Sequence, residues 1–261
     1  MQYEELDFKI PVESPSYPSD SEFVVQQIRT VLQTRIASGE NCVFLNTNLR
    51  QGLPLENINK IAGPMLEAWV FEVFWDVLEN PANAYRLIHA EAQPRLGMSD
   101  IVLQFQKTEL QFLTGNVDVK ATAEDIPQAG KAPNITSFSR IRTAYVEDPD
   151  FLFVILSIKY RAYSRRNVQA ATLEGILEVV DCNACDLKYL SERDLIYNPA
   201  LGTGQLQIRD IHYVTPCVRT TWEFCQMIDK KFLNSSKRTL EDWLAEARRN
   251  HWIKEDEPEV R

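Results

Sequence analysis

Apolar positions recur with two different periods along this chain. Leu66, Trp69, Val70, Val73, Phe74 and Val77 repeat at helical spacing. They predict a helix over about 61–78, with Pro64 accepted in its first turn. Phe23, Val24, Ile28, Val31 and Leu32 predict another over about 22–37, capped by Asp20 or Ser21 and ended by Gly39. Further helices are expected over 136–145, over 221–233, and over 240–250 with Ser236 as its cap. Period-two and wholly apolar runs predict strands instead. Ile101, Val102, Leu103 and Phe105 form one run; Leu110, Phe112, Leu113, Val117 and Val119 form a second, interrupted by Thr114-Gly115-Asn116. The run FLFVILSIKY over 151–160 is apolar on both faces and predicts a central strand beside those two. Segment 173–181 reads as a further strand, or a helix end turning into one, and 206–214 as a strand whose imperfect alternation leaves its register open. Segment 83–97 reads as a short helix or loop, and 41–52 fits no single period. Pro and Gly mark loops over 125–134 and 198–205.

With 261 residues, 44% of them hydrophobic, the chain has ample material for a sizeable core. One domain over 1–261 is expected, with an irregular arm over about 1–20, rich in Pro and Ser, and a polar tail over about 252–261. No interval is long and apolar enough to span a membrane. The opening MQYEELDFKIPVE is acidic and unlike a signal peptide, and five cysteines do not suggest a disulfide scaffold. A reducing cytoplasm is the expected location. The net charge of -9 argues against a generally basic nucleic-acid coat but leaves room for a local basic cleft with strong salt sensitivity.

The candidate chemistry sits on the two paired runs. Asp100 begins the first, and Asp118 and Lys120 lie two apart in the second. In a strand Asp118 and Lys120 share a face, with Val117 and Val119 on the other. Antiparallel pairing would bring both carboxylates and the amine to one edge. Two hard oxygen ligands suit Mg²⁺, and a nearby lysine could orient water or offset charge on phosphorus. Taken alone, the three residues fit a solvated strand end equally well. Arg161, Arg165 and Arg166 form a basic patch that fits phosphate contact or a solvated turn. Cys182 and Cys185 form a CxxC, but Cys217 and Cys225 are too far apart to complete a usual structural zinc site. Three histidines make a histidine metal cluster improbable, and there is no Gly-rich phosphate loop.

The acid, acid-x-lysine pattern resembles the PD-(D/E)XK nucleases, with Ser99 where a proline usually precedes the first aspartate. The following ATAEDIPQAGKAPNITSFSRIRTAY is similar to the segment behind the catalytic lysine in blunt-cutting type II restriction endonucleases of the HincII/EcoRV-like group. Gln128, Ala132, Pro133, Asn134 and Ile135 carry that match. LIYNPALGTGQLQIRDIHYV and RTTWEFCQMIDKKF resemble the group's recognition loop, next strand and C-terminal helix, so the resemblance runs in pieces over about 61–232. IAGPMLEAWVFEVF resembles the helix that brings a glutamate to the metal centre, with Glu67 as the candidate and Glu72 as its rival.

The resemblance implies an α/β (α+β) restriction-endonuclease-like fold, a central mixed sheet flanked by helices. It implies Mg²⁺ held by Asp100, Asp118 and the Val119 carbonyl, with Lys120 activating water. It implies a homodimer on palindromic double-stranded DNA, cutting to 5′-phosphate ends, with a cognate methyltransferase in the same system. Asn134 is then expected at a base edge, Gln128 as a wedge near the minor groove, and Asn198 and Gln205 in a second recognition loop. Arg161, Arg165 and Arg166 are expected on phosphates. A repair or processing nuclease of the same fold, and an inactive DNA binder, are the alternatives.

Overall fold

Along the chain of this computed structural model, which describes residues 2–126, 130–200 and 202–254, the elements begin with α1 (Tyr17–Ala37), β1 (Cys42–Leu45), α2 (Leu55–Glu79), β2 (Leu87–Ala92), β3 (Ile101–Thr108) and β4 (Gln111–Ala123). They continue with β5 (Asn134–Ser137), α3 (Phe138–Glu147), β6 (Leu152–Asn167), β7 (Thr172–Asp186), β8 (Leu195–Asn198), β9 (Gln205–Ile208), α4 (Thr221–Leu233) and α5 (Leu240–Arg249). Where one domain is expected from the sequence, these elements group into two compact units.

The unit made of Ser19–Lys131 and Leu152–Leu187 holds a six-stranded mixed sheet in the order β1-β7-β6-β4-β3-β2. β3 and β4 pair antiparallel, with Ile101 opposite Val117, while β4 and β6 run parallel, with Asp118 opposite Ile155. β6 is the expected central strand: Leu152 to Ile158 are all buried, which explains a run with no polar alternation. Thr114-Gly115-Asn116 does not interrupt β4. Gly115 lies inside the strand because a Cβ there would meet Val24 of α1 at 2.9 Å. α1 presents Val24, Ile28 and Leu32 to the interior, and α2 presents Ile58, Ala62, Leu66, Trp69, Val70, Val73 and Phe74.

Several expectations are corrected here. α1 starts at Tyr17, so Pro18 occupies a first-turn position where its missing N–H costs nothing. α2 begins at Leu55, which places Pro64 inside the helix. The buried stripe on either side of that proline keeps the helix continuous despite the lost hydrogen bond. The short helix or loop expected within 83–97 contains β2 instead. It is an edge strand whose register shifts between Leu87 and His89, so only Leu87 and Ala90 are buried and the period of two is broken. Arg165 and Arg166 lie on the extended end of β6, not in a turn.

The other unit comprises Met1–Pro18, Ala132–Phe151 and Lys188–Arg261. It carries a three-stranded sheet in the order β5-β9-β8 and the helices α3, α4 and α5. β9 stops at Ile208, where Asp210 turns the chain by accepting a hydrogen bond from the His212 N–H. Thr239, not Ser236, caps α5, in a reciprocal box with Asp242. The expected arm and the first residues of the expected tail are anchored, while 255–261 of that tail lie outside the described residues. The Tyr3 hydroxyl donates to Asp229 at 2.7 Å, Phe8 bridges to Ile253, and Trp252 is fully buried. Asp229 also accepts from the buried Arg142 Nε at 3.1 Å, and the Arg142 guanidinium lies over Trp222 and Trp252.

Candidate active site

The β3–β4 ladder determines where the acids meet. The Asp100 N–H donates to the Val117 carbonyl at 2.9 Å, one step before β3 begins. Its carboxylate turns back to accept the Val119 N–H at 2.7 Å. Asp100 thus bridges the end of the ladder and lies beside Asp118. Val117 and Val119 face the core, at 0% and 3% exposure, while Asp118 and Lys120 share the opposite face. The N–H and carbonyl of one strand residue leave along the same edge. The Val119 carbonyl therefore leaves along the edge where its N–H meets Asp100.

Asp118 is 4% exposed. Lys120 Nζ donates to its Oδ1 at 2.9 Å. Oδ2 lies 2.8 Å from the same Nζ but off the hydrogen-bonding direction, so this buried oxygen has charge contact and no donor. Burial pushes the Asp118 carboxyl up to about 7. Lys120 opposes that shift, and the charges of Asp100 and Glu67 add to it. Glu67 is raised as well, first by burial and then by Asp100, with Lys120 pulling it down. One electrostatic cluster therefore joins Glu67, Asp100, Asp118 and Lys120. Glu67 and Asp100 also line an open groove of about 600 Å³ with Pro64, Phe71, Gln93 and Arg95. The rival Glu72 is exposed.

A divalent cation fits this donor set. Three carboxylates face one ammonium, and a buried carboxylate oxygen lacks a donor. Among the described residues no group of three His, Cys, Asp or Glu side chains is placed to hold a metal ion by itself. Mg²⁺ requires none, because it retains waters and takes one or two carboxylates plus phosphate oxygen. Zinc on cysteine is a poorer fit. Cys182 and Cys185 stand three apart on β7 and so point to opposite faces. Burial raises the Cys182 and Cys225 thiols to about 11 and about 12, away from the thiolate a metal needs.

The expected DNA contacts fall in two places. Asn134, Asn198 and Gln205 all belong to the three-stranded sheet. Its register pairs Asn134 with Gln207, and Gln205 with both Ser137 and Asn198. Paired residues share a face, so segments distant in sequence deliver their amides to one surface. Gln207 belongs to that surface as well, outside the set of expected DNA contacts. Its signal is the strict alternation Gln205, Leu206, Gln207, Ile208, with both apolar residues fully buried. Asn198 Oδ1 accepts the Ala200 N–H at 3.0 Å, which gives that side chain a turn-forming role. Gly204 is required where it stands: its φ is +88°, and a Cβ would lie 2.3 Å from the Tyr197 ring. Arg238 ties the same loop down through Tyr197 and the Pro199 and Gly202 carbonyls. Gln128 lies outside the described residues. Of the arginines, Arg161 pairs with Glu124 and Arg165 with Glu174, each at 2.8 Å. Arg166 is exposed, and its side chain makes no hydrogen bond or ion pair among the described residues.

The family described as "Type II restriction endonuclease HpaI" matches residues 4–251. The type II restriction enzyme HpaI of Haemophilus parainfluenzae is 58% identical over 255 residues, covering 98% of this chain and all of that protein. The chain belongs to the HpaI family of type II restriction endonucleases. The HpaI relationship extends beyond the 61–232 span in which the resemblance is readable from motifs, and takes in most of the N-terminal arm and α5. The PD-(D/E)XK-like fold, the mixed sheet flanked by helices, and phosphodiester hydrolysis of DNA follow for this chain. Among the described residues no helix is long and apolar enough to cross a membrane.

Proposed function

We propose that this enzyme makes a Mg²⁺-dependent double-strand cut within a short palindromic DNA sequence, leaving blunt ends with 5′-phosphate and 3′-hydroxyl groups. The observation that carries this reading is the donor-less Oδ2 of buried Asp118 beside Asp100 and Lys120, in a chain of this family. Asp100, Asp118 and the Val119 carbonyl would hold Mg²⁺. When bound, the ion neutralises charge at the scissile phosphate and makes water acidic enough to attack near neutral pH. Lys120 Nζ, already on the Asp118 carboxylate, orients that water. The water oxygen gives up one proton to solvent as it bonds to phosphorus in line, the P–O3′ bond breaks, and the leaving O3′ takes up one proton from solvent, so protons balance. Glu67 holds the groove side of the cluster at negative potential.

Base choice is assigned to the amide face of the small sheet, with Asn134 at a base edge, Gln205 beside it, and Asn198 restricted to its remaining NH₂ donor. Gln128 is assigned the wedge. Arg161, Arg165 and Arg166 contribute phosphate contacts, with Arg166 the readiest because the other two already have carboxylate partners. A palindrome calls for a two-fold dimer. Trp69 and Phe74 are buried within the subunit, but Ile61, Met65 and Trp75 form an exposed stripe on α2 that suits a second copy. The enzyme is cytoplasmic in this reading, alongside a methyltransferase that protects the same sequence without binding stably.

The test is digestion of defined DNA with end mapping in Mg²⁺ and in Ca²⁺. Blunt cuts at one short palindrome in Mg²⁺, and binding without efficient turnover in Ca²⁺, support the reading. Cleavage without sequence preference would leave a processing nuclease, and binding without cleavage an inactive binder. Sedimentation near twice the 30.1 kDa chain mass tests the dimer; a monomer both alone and on cognate DNA would defeat it.

A further inference from the structure

Asn134 does not stand alone on its sheet. It is directly opposite Gln207 in the β5–β9 register, and Gln207 Nε2 donates to Asn134 Oδ1 at 2.8 Å. The backbone presents both outward. The register shifts at Ile135, so Ile135 and Thr136 both turn inward and Asn134 stays exposed. Leu206 and Ile208, flanking Gln207, are fully buried.

A bond between two side-chain amides uses the carbonyl of one and the NH₂ of the other. Here it occupies an Asn134 oxygen lone pair and fixes the Asn134 amide plane. What the pair offers outward is the Asn134 NH₂ and the Gln207 carbonyl. A lone asparagine reading adenine needs its own oxygen and nitrogen pointed at the same base. The pair instead carries its donor and acceptor on two adjacent strands, whose opposed Cβ atoms lie about 4.5–5.5 Å apart. That separation suits neighbouring bases, which stack about 3.4 Å apart along a strand.

Building on the assignment of Asn134 to a base edge, we propose that Gln207 is a second specificity-determining residue. Asn134 and Gln207 act as one composite reader of two adjoining base edges in the major groove. Asn134 Nδ2 donates to a purine N7 or thymine O4. Gln207 Oε1 accepts from the exocyclic amine of an adjoining adenine or cytosine.

The experiment measures binding in Ca²⁺ to the cognate duplex and to a series of duplexes with one base pair altered. It uses the full-length enzyme, Asn134→Ala, Gln207→Ala, Gln207→Leu and the Asn134→Ala/Gln207→Ala double variant, each checked for unchanged thermal unfolding. Gln207→Leu keeps the side-chain volume on β9 while removing every polar atom. The expected result is a loss of cognate preference of roughly tenfold or more for either Gln207 variant. Each single variant should lose preference at the same two adjoining base pairs, and the double variant should be no worse than about the poorer single one, since breaking the pair disables both halves. If both Gln207 variants keep full preference while Asn134→Ala loses it, Asn134 reads alone and this inference fails with the assignment of Asn134 intact. If Gln207→Ala loses preference and Asn134→Ala does not, the paired arrangement is wrong. If all variants keep it, the assignment of Asn134 falls and takes the inference with it.

Discussion

The two sheets of this enzyme handle polar groups in opposite ways. At the β3–β4 end of the large sheet, charge is concentrated and partly withheld from water. Asp118 is buried, its carboxyl is raised to about 7, and a single lysine faces three acids. On the small sheet the outward groups are neutral amides, Asn134, Gln205 and Gln207, over a core of Leu206 and Ile208. Hydrolysis needs a strong local field, and a desolvated field is stronger. Sequence reading needs donors and acceptors in fixed positions, and a net charge there would favour every phosphate alike. Substitutions in the two places should therefore fail differently: one sheet loses rate, the other loses choice.

Asp118→Ala breaks the comparison most sharply if it is wrong. It should lower the single-turnover cleavage rate by roughly 10³-fold while leaving cognate preference in Ca²⁺ intact. A variant that cuts at the parental rate, or that loses preference instead, would place the field elsewhere. Glu67→Gln is the next step down. It removes a charge from the groove wall, and should weaken divalent-ion binding or rate by roughly 10- to 100-fold, again without altering base choice. Glu72→Gln, on the exposed side of α2, is its matched control.

Acidity provides a third test, with its sign determined by burial. The folded, metal-free chain holds a proton on Asp118 up to about pH 7, whereas the unfolded chain releases it in the ordinary carboxylate range. Between those values the folded state binds more protons, so metal-free stability falls as pH rises from about 4 to about 7. The cation must displace that proton. Mg²⁺ or Mn²⁺ binding should therefore strengthen about tenfold between about pH 6 and about pH 8, then level off, as calorimetric titration would show. A flat profile would mean Asp118 is ionised throughout. The smallest effect belongs to the arginines at the end of β6. Arg166→Ala should weaken cognate and altered duplexes equally and reduce the salt slope by about 1. Arg161→Ala and Arg165→Ala should do less, because Glu124 and Glu174 already engage those side chains.

What could be read from residue order follows the same division. The acid, acid-x-lysine spacing on a strand was visible because strand geometry alone places Asp118 and Lys120 on one face. The buried strand β6 is legible because Ser157 is the single polar residue between Leu152 and Ile158, and it too is buried. β2 was not, because a shifted register leaves only Leu87 and Ala90 inside. The start of α2 is not legible in residue order because Pro64 reads locally as a first-turn residue, and only the packing of Ile58 and Ala62 carries the helix upstream of it. The amide face was seen only in part. Asn134, Asn198 and Gln205 stand out in their loops, but Gln207 becomes meaningful through its partner 73 positions away.

The parallel pairing of β4 with β6 bears on how the enzyme comes into being. Asp118 and Lys120 lie on a strand that ends at Ala123, yet the neighbour along its inner edge begins only at Leu152, and that neighbour in turn pairs with β7, which ends at Asp186. Contacts this far apart along the chain form slowly, because distant segments must be brought together first. A nascent chain that has just emerged past Lys120 carries all four residues of the proposed catalytic cluster and none of the parallel edge that seats them. If that cluster is the active site, nuclease activity should be deferred until well over half of the polypeptide has been synthesised.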